Sequence, residues 1–162
     1  MADASIKVAL GASIPHILGA SSVSIATGVF SSATSGASIS ALVGTNNLSS
    51  YPRCDVTLTY PPSATTSSTA MNIYLYRRDL NVDGVAAYDE EVPGTNNSNK
   101  FMGAFAVPTT LSTGTYYITL TDIPLPGGNT DCQFIIQNSL TNSLPAGWAL
   151  TVTPKTDVGS TT

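Results

Sequence analysis

Residues 79 to 90 read "DLNVDGVAAYDE", and their spacing places oxygen ligands where a calcium loop needs them. Asp79, Asn81 and Asp83 fall at loop positions one, three and five, Gly84 at the turn position six, and Glu90 at the bidentate position twelve. Calcium takes about six to eight oxygens, and a chain wrapped at this spacing supplies them. An EF-hand also needs a helix on each side. Here "MNIYLYRR" precedes the loop with strand alternation, and Pro93 in "EVPG" stops any helix soon after it. Position nine is Ala87, which offers no side-chain oxygen. The pattern therefore predicts a polar connection between strands. In it Asp79, Asn81 and Asp83 bond to nearby backbone, and Gly84 takes a positive φ. No metal is expected at Asp79–Glu90.

The other reactive side chains form no constellation. His16 is the single histidine, so any Ser-His-Asp or Cys-His arrangement must use it, yet "SIPHILG" gives it no acid to orient the ring. Asp89, Glu90 and Glu91 are consecutive, which suits a solvated acidic turn better than two carboxylates facing each other across a cleft. "GGNT" at 127 to 130 has no following Lys and is not a phosphate-binding loop. Cys54 and Cys132 are too far apart for a C-x-x-C motif and read as two buried, reduced thiols. Trp148 alternates with Leu150 and Val152, the pattern of packing. No catalytic, cofactor-binding or metal-binding residue is predicted, and no enzyme.

Composition narrows the partners. Charged residues make up 10% of the 162, against about a quarter in ordinary soluble domains, and Ser plus Thr make up about a quarter of the chain. Hydroxyls and amides replace ions at such a surface. The net charge is −4, and six Lys plus Arg, scattered apart from Arg77-Arg78, make no basic stripe for nucleic acid. The stretch from Val8 to Phe30 has no charged residue, but Gly, Ser and Pro15 interrupt it, so no membrane span is expected. "MADASIKVAL" carries Asp3 and no basic stretch before a long apolar run, which is not a secretory signal.

The elements that must carry these residues are strands. Cys54, Val56, Leu58 and Tyr60 alternate with Arg53, Asp55, Thr57 and Thr59. Met71, Ile73 and Leu75 share a face, as do Tyr116, Ile118 and Leu120, and Cys132, Phe134 and Ile136. In "KFMGAFAV" the alternation places Phe101, Phe105 and Val107 on one side. "YPPSATTSS", "VPGTNNSN", "LSTGT", "PLPGGNT" and "LPAGW" supply the turns. Nearer the start, "SIKVAL", "SSVSIATGVF" and "ISALVG" read as strands. No stretch makes an amphipathic helix of three turns. The expectation is a single all-β domain over 1–162: an antiparallel, jelly-roll-like β-sandwich of about eight strands. Residues 1–50 read as an extended arm or a less regular segment, and 155–162 as a loose tail.

"IYLYRRDLNVDG", "FMGAFAV" and "LPAGWALTVTPKT", with the opening "SIKVALGAS", resemble small β-sandwich structural proteins of tailed bacteriophages, the head decoration or cement proteins. The resemblance covers most of the chain from Ile73 onward. It implies a non-enzymatic particle component that binds the major capsid protein, sits on the capsid surface and is assembled in the reducing host cytoplasm. A homo-oligomer, a trimer above all, would match a point where three capsid subunits meet. The alternatives are another virion part (tail, connector or fibre-attachment component) or a receptor- or carbohydrate-binding sandwich. The last would use exposed Tyr74, Tyr76, Tyr117 or Trp148 as a platform.

Overall fold

A computed structural model describes residues 7–10, 13–17, 22–31, 51–61, 71–80, 101–108, 114–126 and 130–158. In chain order its strands are β1 (Lys7–Leu10), β2 (Ile14–Ile17), β3 (Arg53–Tyr60), β4 (Met71–Leu80), β5 (Phe101–Val107), β6 (Tyr116–Pro124), β7 (Asp131–Asn138) and β8 (Ala149–Val158). Three long strands form the body of each of two sheets, in the orders β8-β3-β6 and β5-β4-β7. Every pairing is antiparallel, and no helix occurs among the described residues.

The inward residues of both sheets make one core. Cys54, Val56, Leu58 and Tyr60 of β3, Leu150 and Val152 of β8, Ile73 and Leu75 of β4, and Cys132, Phe134 and Ile136 of β7 belong to a single buried cluster with Trp148. The two sheets thus pack face to face as a β-sandwich, as period-two alternation requires. Burying each large apolar side chain contributes about 1.5–3 kcal/mol, so the core offsets the chain entropy lost on folding.

The six long strands are those the alternation predicts. The expected count of about eight is not met by such strands: the two sheets have six of them. The two further strands are four-residue edge pieces on β8, one of them in "IPHI", which carries no strand signal. "SSVSIATGVF" gives two isolated bridges, Ile25 to Leu144 and Phe30 to Gln137. "ISALVG" lies outside the described residues. Pairing along β8 also runs to Val158, opposite Lys7, so residues 155–158 of the expected loose tail are strand.

The N-terminal stretch closes one side of the sandwich. β1 pairs with β8 from Lys155 onward and β2 from Val152 back, and between them stands Pro154, which has no N–H to offer a neighbour. Residues 22–31 then cross to the other sheet. The Trp148 indole N–H donates to Val23 O at 2.9 Å, and the Gly147 amide donates to Ser22 Oγ at 2.8 Å. Gly28 and Ser31 donate their amides to Asn138 and Ile136 of β7, each at 2.7 Å. Gly28, at φ 77°, takes the left-handed turn that starts this edge. Ile25 is buried among the core residues, with the Asn138 side-chain Nδ2 donating to its carbonyl at 2.9 Å.

On the opposite side, β5 and β6 approach closely at Gly103. A Cβ there would stand 2.9 Å from Leu120 Cδ1. Register shifts in both sheets fall near this side, between Cys54 and Val56 against β6 and between Leu75 and Tyr76 against β5.

Candidate functional site

Asp79, the first position of the calcium-like motif, is in β4 and not in a loop. Arg77 holds its carboxylate from two directions, Nε to Oδ1 at 2.7 Å and Nη2 to Oδ2 at 3.2 Å. The third arm of the guanidinium donates to Pro124 O of β6 at 2.8 Å. Arg77 therefore clips the two sheets together at one end of the sandwich, and Asp79 neutralises it there. A carboxylate so engaged is a poor first ligand for calcium. Asn81, Asp83, Gly84, Ala87, Asp89, Glu90 and Glu91 lie outside the described residues. Among the described residues no three His, Cys, Asp or Glu gather where they could hold a metal ion.

The remaining sequence candidates are scattered. His16 is in β2, at the register shift between Pro15 and Ile17. Cys54 and Cys132 face the interior from opposite sheets as free thiols. Burial pushes the Cys54 thiol up to about 12, with the neighbouring Asp55 charge adding to the effect. Burial likewise holds Cys132 well above the ordinary range. Such thiols are packing groups. Trp148 is fully buried and cannot serve as an exposed platform. Among the described residues no helix is long and apolar enough to cross a membrane.

The outer faces of the two sheets differ sharply. On β8-β3-β6 the outward positions are hydroxyls. Thr57 stands between Thr119 and Thr151, with a 2.9 Å Thr57–Thr119 hydroxyl bond, and Ser13 reaches Thr153 at 2.7 Å. At one end of this face is a charge quartet. Lys155 Nζ lies 2.9 Å from Asp55 Oδ1 and 3.1 Å from Asp122 Oδ1, and Arg53 lies 3.2 Å from Asp122. The bonds from Asp55 and Asp122 hold the Lys155 ammonium above its usual range. Tyr117, 72% exposed, and Leu10, paired with Lys155, are the exposed large apolar side chains here among the described residues.

The outer face of β5-β4-β7 is aromatic. Antiparallel pairing aligns Tyr74 with Ala104 and Gln137, and Tyr76 with Phe101 and Ile135. The bridge to Gln137 brings Phe30 onto the same face. Ring centroids follow one another at 5.2 Å (Phe30–Tyr76), 5.9 Å (Tyr76–Phe101) and 5.8 Å (Phe101–Tyr74). All three contacts are edge-to-face, with ring planes 64–77° apart. The Tyr76 hydroxyl donates to Gln137 Oε1 at 3.2 Å, and burial raises its pKa. Ile135 is buried although it points away from the interior cluster, so this face has a small apolar patch of its own. Phe101 remains 46% exposed.

This belt is what the sequence pattern missed. Strict alternation in "KFMGAFAV" places Phe101 inward with Phe105 and Val107. The register shift opposite Leu75 and Tyr76 turns Phe101 outward, against Tyr76. Tyr74 and Tyr76 do alternate outward with Ile73 and Leu75, which was the available signal. Phe30 gave none, because its place depends on a single bridge far along the chain. Arg53 and Asp55 alternate outward on β3 and could be foreseen at the surface, but their meeting with Asp122 and Lys155 could not. No protein-family model matches this chain, and no curated protein matches it.

Proposed function

We propose that this chain is a non-enzymatic virion structural protein of a tailed bacteriophage. Its role is that of a capsid decoration (cement) protein, which binds the major capsid protein shell and stabilises the head. The observation that carries the reading is the two-sided surface: a hydroxyl-covered face with internally paired charges on one sheet, and an aromatic face on the other. Such a molecule suits lateral packing between proteins.

The pairing supports a jelly-roll reading of the sandwich. β2 pairs with β8, residues 28–31 with β7, β3 with β6, and β4 with β5. These pairs nest inside one another and alternate between sheets, as they do in a ribbon folded at the β4–β5 connection and then wrapped. Jelly rolls build capsid and lectin domains alike, so the surface must decide between them. A sugar-binding platform wants rings that lie flat together. Here the rings meet edge-to-face and brace one another, which favours protein contact.

On the shell, each copy of a trimer would bridge capsid subunits, adding on the order of 1,000 Å² of buried surface per contact. Assembly takes place in the host cytoplasm, where Cys54 and Cys132 stay reduced. Heating purified particles with and without the protein tests this. Particles lacking it release their DNA at lower temperature than complete ones while shell geometry is unchanged. Equal heat stability with failure to adsorb to cells would replace this reading with the receptor-binding one.

A further inference from the structure

We propose that the groove running from Ile136 to Trp148 is a strand-acceptor site. It recognises residues 22–31 as a separable ligand, which a second copy of this chain can supply in place of its own.

The acceptor reads an extended segment as an added strand. Ile25 and Leu144 exchange both backbone bonds, at 2.8 and 2.9 Å. Gly28 and Ser31 donate to the carbonyls of Asn138 and Ile136, and Val29 O accepts the Asn138 amide at 3.1 Å. Side chains then select the sequence. Ser22 Oγ accepts the Gly147 amide, and Ser31 Oγ accepts that of Ile136 at 3.1 Å. Ile25, 2% exposed, enters the core cluster that holds Leu140, Leu144 and Trp148. At Gly28 a side chain would meet open space, so it is the φ of 77° that asks for glycine.

The groove is built without its ligand. Pairing with β4 holds β7, and pairing with β3 holds the strand that starts after Trp148. Asn138 Oδ1 accepts the Leu140 amide and Nδ2 donates to Asn142 O, each at 3.0 Å. These bonds lie within the acceptor, and they aim the same Nδ2 at Ile25 O. A site fixed before the segment arrives loses little freedom on binding it.

No feature of this contact requires the segment to come from the same chain. The anchoring bonds join residues 105 to 125 positions apart. Residues 32–50 lead from the segment toward β3, and at about 3.3 Å each they can span up to about 60 Å. That exceeds the roughly 40 Å across a domain of this size. Residues 22–31 and 136–148 carry no charge, so two copies meet there without like-charge repulsion.

The test uses the full chain and a fluorescent synthetic peptide of residues 20–33. Ile25→Asp puts a carboxylate in the core and should release the chain's own segment, lowering the melting temperature by about 5–10 °C. Gly28→Val strains only the turn and should release it more mildly. Saturating peptide should recover at least half of the loss in both variants, with saturable anisotropy. A peptide carrying Ile25→Asp should do neither. Wild type, its groove already filled, should bind the peptide roughly tenfold more weakly or worse. Native mass spectrometry reads the second-copy step. Isotope-labelled and unlabelled wild type, mixed at high concentration, warmed and cooled, should give mixed dimers, and Ile25→Asp chains should give none. Folded variants that ignore the peptide overturn the inference. Two variants that are both unfolded by circular dichroism overturn it too, because the segment is then inseparable from the core. A wild type that never forms mixed dimers removes the second copy as donor and overturns it equally.

Discussion

The Asp55 carboxylate accepts the backbone amide of Asp122 at 3.1 Å across the β3–β6 pair. Asp122 has φ 58°, a left-handed conformation that non-glycine residues rarely take, at the point where the β3–β6 register shifts. Asp55 thus pins a bulge in the edge strand β6, and Lys155 ties both carboxylates together. A bulge with a charge on it also makes a poor template for edge-to-edge pairing.

Asp55→Ala should destabilise the fold by about 1–3 kcal/mol, since it removes a charge-assisted bond to a strained amide. Asp122→Gly and Asp122→Ala both lose the carboxylate, so their difference isolates the backbone. The alanine variant should be less stable by about 1 kcal/mol. Urea unfolding midpoints check all three, and equal stability of the two Asp122 variants would show that φ costs nothing there.

Alkaline pH should weaken the fold. The Cys54 thiol is held at about 12 and Cys132 well above its ordinary 9.0, both by burial. Both pKa values are raised on folding, so their stabilisation is complete below the unfolded value. It is lost as pH climbs through the window from about 9 toward the folded values, where the unfolded chain holds fewer protons. Stability against urea should fall between pH 9 and about 11, with a shallower slope in Cys54→Ala. At neutral pH both thiols should resist labelling until the chain is unfolded, with no prior reduction needed. A Cys54–Cys132 bridge in native particles would contradict the cytoplasmic assembly proposed above.

Calcium at millimolar concentration should leave the melting temperature unchanged, because a ligand stabilises only the state it binds. Arg77→Lys loses the two-pronged grip on Asp79 and one sheet-to-sheet bond, and should cost about 1–3 kcal/mol with or without calcium. A calcium-dependent rise that disappears in Asp79→Ala would restore the calcium loop.

Trp148→Phe keeps most of the buried ring and removes the indole N–H that holds Val23. It should cost about 1–3 kcal/mol and speed proteolysis between Ser22 and Ser31 well before the rest of the chain. Uniform proteolysis would mean that buried Ile25 and the backbone bonds to Leu144 and β7 anchor this stretch without the indole.

The long strands were legible in the sequence because each has one wet and one dry face, and period two records that directly: Cys54, Val56, Leu58 and Tyr60 are all buried. Phe101 was misplaced because a register shift moves a side chain to the other face without changing the pattern in its own strand. β2 was invisible because an edge piece containing Pro15 is held by β8 and not by its own propensity. The charge quartet unites β3, β6 and β8, and only the sheet order brings them together. Pattern reports faces. Adjacency comes from the topology.

Strand β8 is the last described strand in the chain, yet it lies inside its sheet, between β3 and the β1–β2 edge. During synthesis β3 must therefore emerge and wait with one side of its backbone unpaired until residues 149–158 leave the ribosome. The N-terminal stretch waits as well, since β1 and β2 pair only with β8. A nascent chain in this state carries an open slot beside Cys54, Val56 and Leu58 of β3, which β8 must fill before another chain does. Crowded translation of many copies at once would make that slot a hazard. Slower translation between β3 and β8 would lengthen the exposure, and added copies of this chain lacking β8 should drag complete chains into aggregates.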